Sequence, residues 1–345
     1  MTRKIVILTE GHTNPHTAKT AASVIRYRTD EVVAVLDSTQ RGVTSQALLG
    51  VGGGIPVVGS LEEAPSADTL LIGIAPRGGR IPDAWRPVIL KAITRGMNIV
   101  SGLHDFISDD AEFAEAARQR GVTIHDVRKN RERDIAQRPG FRQGCVRIHT
   151  VGHDCSVGKM VTAIELQRGL SAAGHNAKFV ATGQTGIMIE GDGCPLDCVV
   201  SDFINGAAEK LVLANQQHDF LLIEGQGSLF HPSYSAVTLG ILHGTLPDGL
   251  VLCYEAGRTQ VAAMEHVPLP SLTELRRIYE TVAGIMHPCR AIGIAVNSRR
   301  LSATEADDEC HRASDELGLP ACDVFRHGAD VLVQAVLRLR EEIVR

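Results

Sequence analysis

The chain contains no uninterrupted apolar run approaching the roughly 18 residues a membrane-spanning helix requires. Its start, Met1-Thr2-Arg3-Lys4, leads into an apolar run too short for the core of a secretory leader, so a cytoplasmic location is expected. Blocks of like charge are missing as well. The 35 Lys and Arg and the 40 Asp and Glu are scattered and sum to a net charge of −5, which leaves no basic footprint for nucleic acid or an anionic membrane and favours small molecules as partners. No Cys-x-x-Cys occurs among the eight cysteines. Cys194 and Cys198 stand close together but lack a second pair or a nearby His, and a chain of this size needs no disulfide framework. Reduced thiols and no metal are therefore expected. Finally, the first apolar run passes into Thr9-Glu10-Gly11-His12-Thr13-Asn14, which lacks a G-x-G-x-x-G turn and argues against a nicotinamide cofactor.

At 345 residues, with 44% hydrophobic and 22% charged residues, the chain is long enough for two globular domains. Short continuous apolar runs alternate with helical stretches: strands at Lys4–Leu8, Glu31–Leu36, Asp68–Ile74, Asn98–Val100 and Val122–His125, and helices at Thr17–Tyr27, Ala84–Arg95 and Ala111–Gln119. Such runs describe strands covered on both faces and joined in parallel. Asp37 closes the second strand where a dinucleotide fold carries its ribose-binding acid. Charged and helix-breaking residues gather over Arg128–Gly144, after which the pattern restarts. Strands are predicted at Val146–Val151, Lys178–Ala181, Phe220–Glu224, Gly249–Tyr254, Ala291–Val296 and Ala321–Asp323. Helices are predicted at Met160–Ala173, Cys198–Asn215, Leu272–Ile285, Ala303–Glu316 and Gly328–Arg340. The expected fold is α/β with two parallel-sheet domains, a Rossmann-like domain over residues 1–140 and a P-loop NTPase-like domain over residues 141–345.

Three segments carry chemistry. Val151-Gly152-His153-Asp154-Cys155-Ser156-Val157-Gly158-Lys159-Met160 lies between a buried strand and a helix, where backbone N–H groups, the helix dipole and a lysine cradle phosphate. Gly152, Asp154, Cys155, Ser156, Val157, Gly158, Lys159 and Met160 are therefore the expected binders of a phosphate-bearing cofactor. The G-x5-G-K spacing resembles that of dethiobiotin synthetase. Where a nucleotidase has Ser or Thr after the lysine to hold Mg2+, this chain has Met160, a poor ligand for a hard cation, and Thr162 would face elsewhere on the helix. In the second segment, Ile223-Glu224-Gly225-Gln226-Gly227-Ser228-Leu229-Phe230-His231, a strand-end acid stands beside the loop, with His231 as a second candidate base and Gln226 as a substrate contact. The third, Thr182 to Gly193, reads as a glycine-rich loop that wraps a polar ligand through Gln184 and Thr185. Cys155, at a helix N-terminus, is a possible nucleophile, and Arg77 and Arg80 are candidate clamps for a carboxylate or phosphate.

Taken together in this order, the motifs around His153–Met160, Thr182–Gly186 and Ile223–Pro232 resemble a family long described as of unknown function. Its characterised members are D-glutamate N-acetyltransferases, which work beside an N-acetyl-D-glutamate deacetylase in D-glutamate catabolism. The resemblance spans nearly the whole chain and implies acetyl transfer from acetyl-CoA, as co-substrate, to the amino group of D-glutamate or a related amino acid. A homo-oligomer is expected. CoA carries a pyrophosphate that such a loop can hold without hydrolysing anything, which suits Met160. The Q-x-x-G-x-G/A loop of the common acetyltransferase fold is not found, so the activity would rest on a different scaffold. Three readings stay open. In the first, Lys159 holds CoA diphosphate, Glu224 or His231 deprotonates the attacking ammonium, and backbone N–H groups stabilise the oxyanion. The second is an ATP-dependent ligase or kinase related to dethiobiotin synthetase, against which Met160 speaks. The third is a CoA- or nucleotide-sensing protein without catalysis, against which the polar residues around Glu224 speak.

Overall fold

The computed structural model describes residues 3–74 and 79–344. The chain forms two compact units. One takes in the chain up to Asn130 together with Ile187–Gly191, and the other takes in Arg131–Gly186 and the chain from Asp192 onward. The segment read from the sequence as a boundary, Arg128–Gly144, has no helix or strand, and most of it belongs to the second unit.

In the first unit the elements run β1 (Ile5–Leu8), α1 (Lys19–Tyr27), β2 (Val32–Leu36), α2 (Ser45–Leu49), β3 (Val57–Val58), β4 (Thr69–Ile72), α3 (Arg86–Thr94), β5 (Asn98–Ser101), α4 (Ala111–Arg120) and β6 (Ile124–Asp126). The six strands are parallel in the order β3-β2-β1-β4-β5-β6, the doubly wound order of a Rossmann sheet. β1 and β4 are buried at every residue, as continuous apolar runs require. Asp37 is fully buried, but its carboxylate is already in use. It accepts from Thr13 Oγ1 at 2.5 Å, Thr39 N at 3.0 Å and Thr39 Oγ1 at 2.7 Å, tying the loop after β1 to the end of β2. Burial raises its pKa, but these bonds outweigh burial and hold the group below its ordinary value. An acid so engaged has little left for a ribose, in keeping with the missing glycine turn.

The second unit comprises β7 (Val146–Gly152), α5 (Lys159–Ala172), β8 (Ala177–Val180), α6 (Gln184–Glu190, shared with the first unit), α7 (Ile204–Asn215), β9 (Phe220–Ile223), α8 (Ser235–Thr245), β10 (Gly249–Glu255), β11 (Gln260–Val261), β12 (Met264–Pro268), α9 (Leu272–Gly284), β13 (Arg290–Asn297), α10 (Ala303–Leu317), β14 (Ala321–Cys322) and α11 (Asp330–Val344). Its parallel sheet has the order β14-β13-β10-β7-β9-β8, so β7 is central and both neighbours end beside it. β11 and β12 form a small antiparallel hairpin. Two sequence expectations are corrected, and one helix is new. The predicted Thr182–Gly193 loop contains α6, a helix that buries Ile187 and Met188. The helix predicted from Cys198 begins at Ile204, after two 3-10 turns at Leu196–Cys198 and Ser201–Phe203. α8 is not among the predicted helices; it packs closely on α7, since a Cβ on Gly240 would lie 2.3 Å from Ile204 Cγ2 and one on Gly244 2.5 Å from Asn205 O.

Candidate active site

β7 is buried along its whole length and delivers the chain into the phosphate loop. A Cβ on Gly152 would meet Cys253 O at 2.6 Å, so only glycine lets the loop leave the sheet this close to β10. Ser156 and Gly158 then adopt left-handed φ values of 58° and 109°, and α5 opens at Lys159 without a side-chain cap. Uncapped N–H groups at this end favour an anion. Lys159 is buried and its Nζ donates to Asp154 O at 2.7 Å. Burial pulls its pKa down, while Cys155, Cys253 and Asp154 pull it back up.

Asp154 is the brace of the loop. Its Oδ1 accepts from Cys155 N at 2.6 Å, and its Oδ2 accepts from Arg258 Nη1 at 2.9 Å and from Ala262 N, in the hairpin turn, at 2.8 Å. His153 Nε2 accepts from Glu255 N at 3.2 Å, and burial holds this histidine neutral, with its pKa pushed down to about 3. Thr162 is buried and receives the Cys253 thiol at 3.7 Å on β10, so its hydroxyl is directed at the sheet and does not replace the Mg2+ ligand missing at Met160. Tyr279, which the sequence did not single out, ties the site together. Its hydroxyl donates to Gly152 O at 2.9 Å and accepts from Leu229 N at 3.1 Å. Tyr279→Phe leaves a buried carbonyl and an N–H without that partner and is expected to cost about 1–3 kcal/mol of stability. Denaturant unfolding of the variant checks this; an unchanged midpoint would refute the bracing role.

Glu224 follows β9 on the other side of β7. It is buried, and its Oε2 accepts from Thr182 N at 2.8 Å and Gly183 N at 3.0 Å. A Cβ on Gly225 would sit 1.7 Å from Thr150 O and 2.9 Å from Lys159 Cδ, so the lysine stem passes directly over the residue next to the acid. Burial raises the Glu224 pKa to about 7 and Asp197 adds to the rise, while the two N–H donors and Gln226 oppose it. The Gln226 amide lies where a Cβ on Gly183 would be, 2.2 Å from Nε2, which places it above the same turn. Gln184 and Thr185 stand at the start of α6, two and three residues beyond Thr182.

His231 is buried, and burial lowers its pKa. Its Nδ1 accepts from Ser233 N at 3.1 Å, so the neutral ring carries its proton on Nε2, which lies 3.9 Å from Asp154 Oδ1. Its neutral form is therefore a hydrogen-bond donor toward the phosphate loop and has no free lone pair there. Asp154, Cys155 and His231 bring potential metal-ligand atoms within 4.8 Å of one another. Both Asp154 oxygens already accept hydrogen bonds and the His231 lone pair is taken by Ser233, so this trio is poorly suited to a cation.

The second unit thus collects the phosphate-loop residues, Glu224, Gln226, His231, Gln184 and Thr185 around the C-terminal ends of β7, β8 and β9. Arg80 is an exposed residue of the first unit, and Arg77 lies outside the described residues. Beside Tyr279, the sequence reading passed over Glu255, Arg258, Arg299 and Arg300, which follow or end β10 and β13 and form ion pairs around Glu255. No described helix is long and apolar enough to cross a membrane.

A Rossmann-like sheet in one unit and a parallel sheet built around a phosphate loop in the other define an α/β protein with a P-loop domain. Residues 134–333 match the family model described as domain of unknown function DUF1611, P-loop domain, and residues 38–130 match its Rossmann-like N-terminal counterpart. The chain belongs to this family, and the resemblance to D-glutamate N-acetyltransferases holds. A curated protein of that name from Tritonibacter scottomollicae is 43% identical over 281 residues, covering 80% of this chain and 84% of its own length. Another from a Pseudoalteromonas species is 38% identical over 268 residues, covering 77% and 80%. The crystal structure of a DUF1611 family protein from Anabaena variabilis aligns with a TM-score of 0.90 at 38% identity, over 97% of this chain and 99% of that one.

Proposed function

We propose that this chain transfers the acetyl group of acetyl-CoA to the amino group of D-glutamate, a reaction of D-amino-acid catabolism. The curated relatives support the reaction class and substrate. The observation that carries the chemistry is the buried Glu224, with its pKa raised to about 7, beside a phosphate loop whose lysine is followed by Met160. Acetyl-CoA supplies the acyl group as a thioester. Lys159 and the uncapped N–H groups of the loop bind its diphosphate. Glu224 accepts a proton from the substrate ammonium, and a carboxylate with a pKa near the working pH suits that task. His231, whose neutral ring is a donor through Nε2, takes the part of stabilising negative charge in this reading, and Glu224 that of base. Gln184, Thr185 and Gln226 border Glu224 and are the proposed contacts to the amino acid.

Charge in this transfer develops on a thioester carbonyl oxygen and not on a transferred phosphoryl group, so Mg2+ has no phosphoryl charge to neutralise. With acetyl-CoA and D-glutamate, thiol release is expected to continue at nearly its full rate in excess EDTA, and ATP with Mg2+ and D-glutamate is expected to yield no phosphate. Loss of thiol release on chelation, restored by Mg2+, together with phosphate release stimulated by an amino acid, would establish the ligase reading instead.

A further inference from the structure

On the side of the phosphate loop away from Glu224, three arginines converge on one buried carboxylate. Glu255 ends β10; Arg258 follows in the next loop, and Arg299 and Arg300 follow β13. Arg258 Nη2 pairs with Glu255 Oε2, Arg299 Nη2 lies 2.7 Å from the same oxygen, and Arg300 Nε lies 3.1 Å from Oε1. This last approach has ion-pair distance without hydrogen-bond alignment, and Oε1 has no hydrogen-bond donor among the described residues. The Arg300 guanidinium is thus drawn to the cluster without being consumed by it.

The charges do not balance. Lys159, Arg258, Arg299 and Arg300 supply four positive charges, against two negative ones on Asp154 and Glu255. His153, which lies between these groups, is neutral. Exposure rises along the arginines, from 10% for the Arg258 side chain to 35% for Arg299 and 62% for Arg300, so the excess is presented outward from the loop. The loop bearing Arg299 and Arg300 is itself held in place. Ser298 N and Oγ donate to Asp323 Oδ2 at 3.0 and 2.5 Å, and Arg326 Nη2 donates to Leu301 O at 2.7 Å. With Lys159 engaged by the diphosphate, the three arginines still outnumber the two carboxylates, and guanidinium forks on a braced loop match phosphate oxygens.

Strand order says which phosphate. The sheet runs β13-β10-β7-β9, so the arginines and Glu224 lie on opposite sides of the central loop. CoA has the same order along its length: a 3′-phosphomonoester on the ribose, then the diphosphate, then the thioester at the far end. A substrate carboxylate belongs with the amino group near Glu224 and is a poor claimant for the β10–β13 side. We propose that Arg299 and Arg300, backed by Arg258, form a subsite for a terminal phosphomonoester and select CoA over its 3′-dephospho form. This inference rests on CoA being the donor.

Calorimetric titration of the full chain with CoA and with 3′-dephospho-CoA tests it, and needs no turnover. The wild type is expected to bind CoA about tenfold or more tightly than 3′-dephospho-CoA. Arg299→Ala/Arg300→Ala should lose that preference, weakening CoA while leaving 3′-dephospho-CoA within about twofold of wild type. Arg299→Lys/Arg300→Lys, which keeps the charge but not the fork, should retain part of it. Equal affinity of the wild type for the two ligands, or a double variant that weakens both alike, would overturn the subsite while leaving CoA as the donor. Binding of neither ligand would overturn the donor reading and the subsite with it.

Discussion

Glu224→Gln is expected to lower kcat/KM for acetyl transfer by about a hundredfold or more, the contribution typical of a positioned general base. Glutamine keeps the size of the side chain, and its amide oxygen can still accept from Thr182 N and Gly183 N, the two bonds that hold the carboxylate. What it loses is basicity. In the wild type, kcat/KM should rise with pH through about 7 as Glu224 gives up its proton, and the variant should lack that limb. The effect on stability has the opposite sign. A carboxylate raised from 4.5 to about 7 favours the folded state while protonated, so this contribution is present below about pH 4.5 and fades as pH climbs through about 7. Glu224→Gln, which carries no charge at any pH, should therefore be no less stable than the wild type at pH 8. Initial rates across pH, with melting temperatures on the same samples, separate the two effects. A variant turning over within about threefold of wild type would remove Glu224 from the mechanism.

Lys159→Ala is expected to weaken CoA binding by about tenfold to more than a hundredfold, corresponding to a charge-assisted contact of about 1.5–3 kcal/mol. The fold should survive, because the ammonium makes one hydrogen bond to a loop carbonyl and its burial is itself unfavourable to the charged form. Isothermal titration with CoA measures the loss. Unchanged affinity in a folded variant would show that the loop does not hold this ligand.

Much of the architecture was legible because parallel strands buried on both faces appear as continuous apolar runs. β1, β4, β7, β9 and β10 are buried at every position and were found close to their true limits. β3 has only two residues and offered no period to detect. α6 was lost for a different reason. Its segment reads as a glycine-rich loop, whereas Gly186 gives room to the Glu224 carboxylate; Gly240 and Gly244 likewise give room to α7 from within α8, which was not predicted. The phosphate loop and Glu224 were visible because each is one segment at a strand end. Arg258, Arg299 and Arg300 were not, since the β10–β13 pairing that joins them has no local signature.

Gly225 has one further consequence. Its Cα packs so closely on Thr150 O and the Lys159 stem that the strand carrying the acid and the loop carrying the lysine are fused at one point. No side chain fits there, so the spacing between Glu224 and Lys159 is closed to gradual evolutionary change. Neighbouring Gln184, Thr185 and Gln226 are only half-buried. With those three as the proposed contacts to the amino acid, divergence toward other substrates is expected to fall on them while the distance between Glu224 and Lys159 stays fixed.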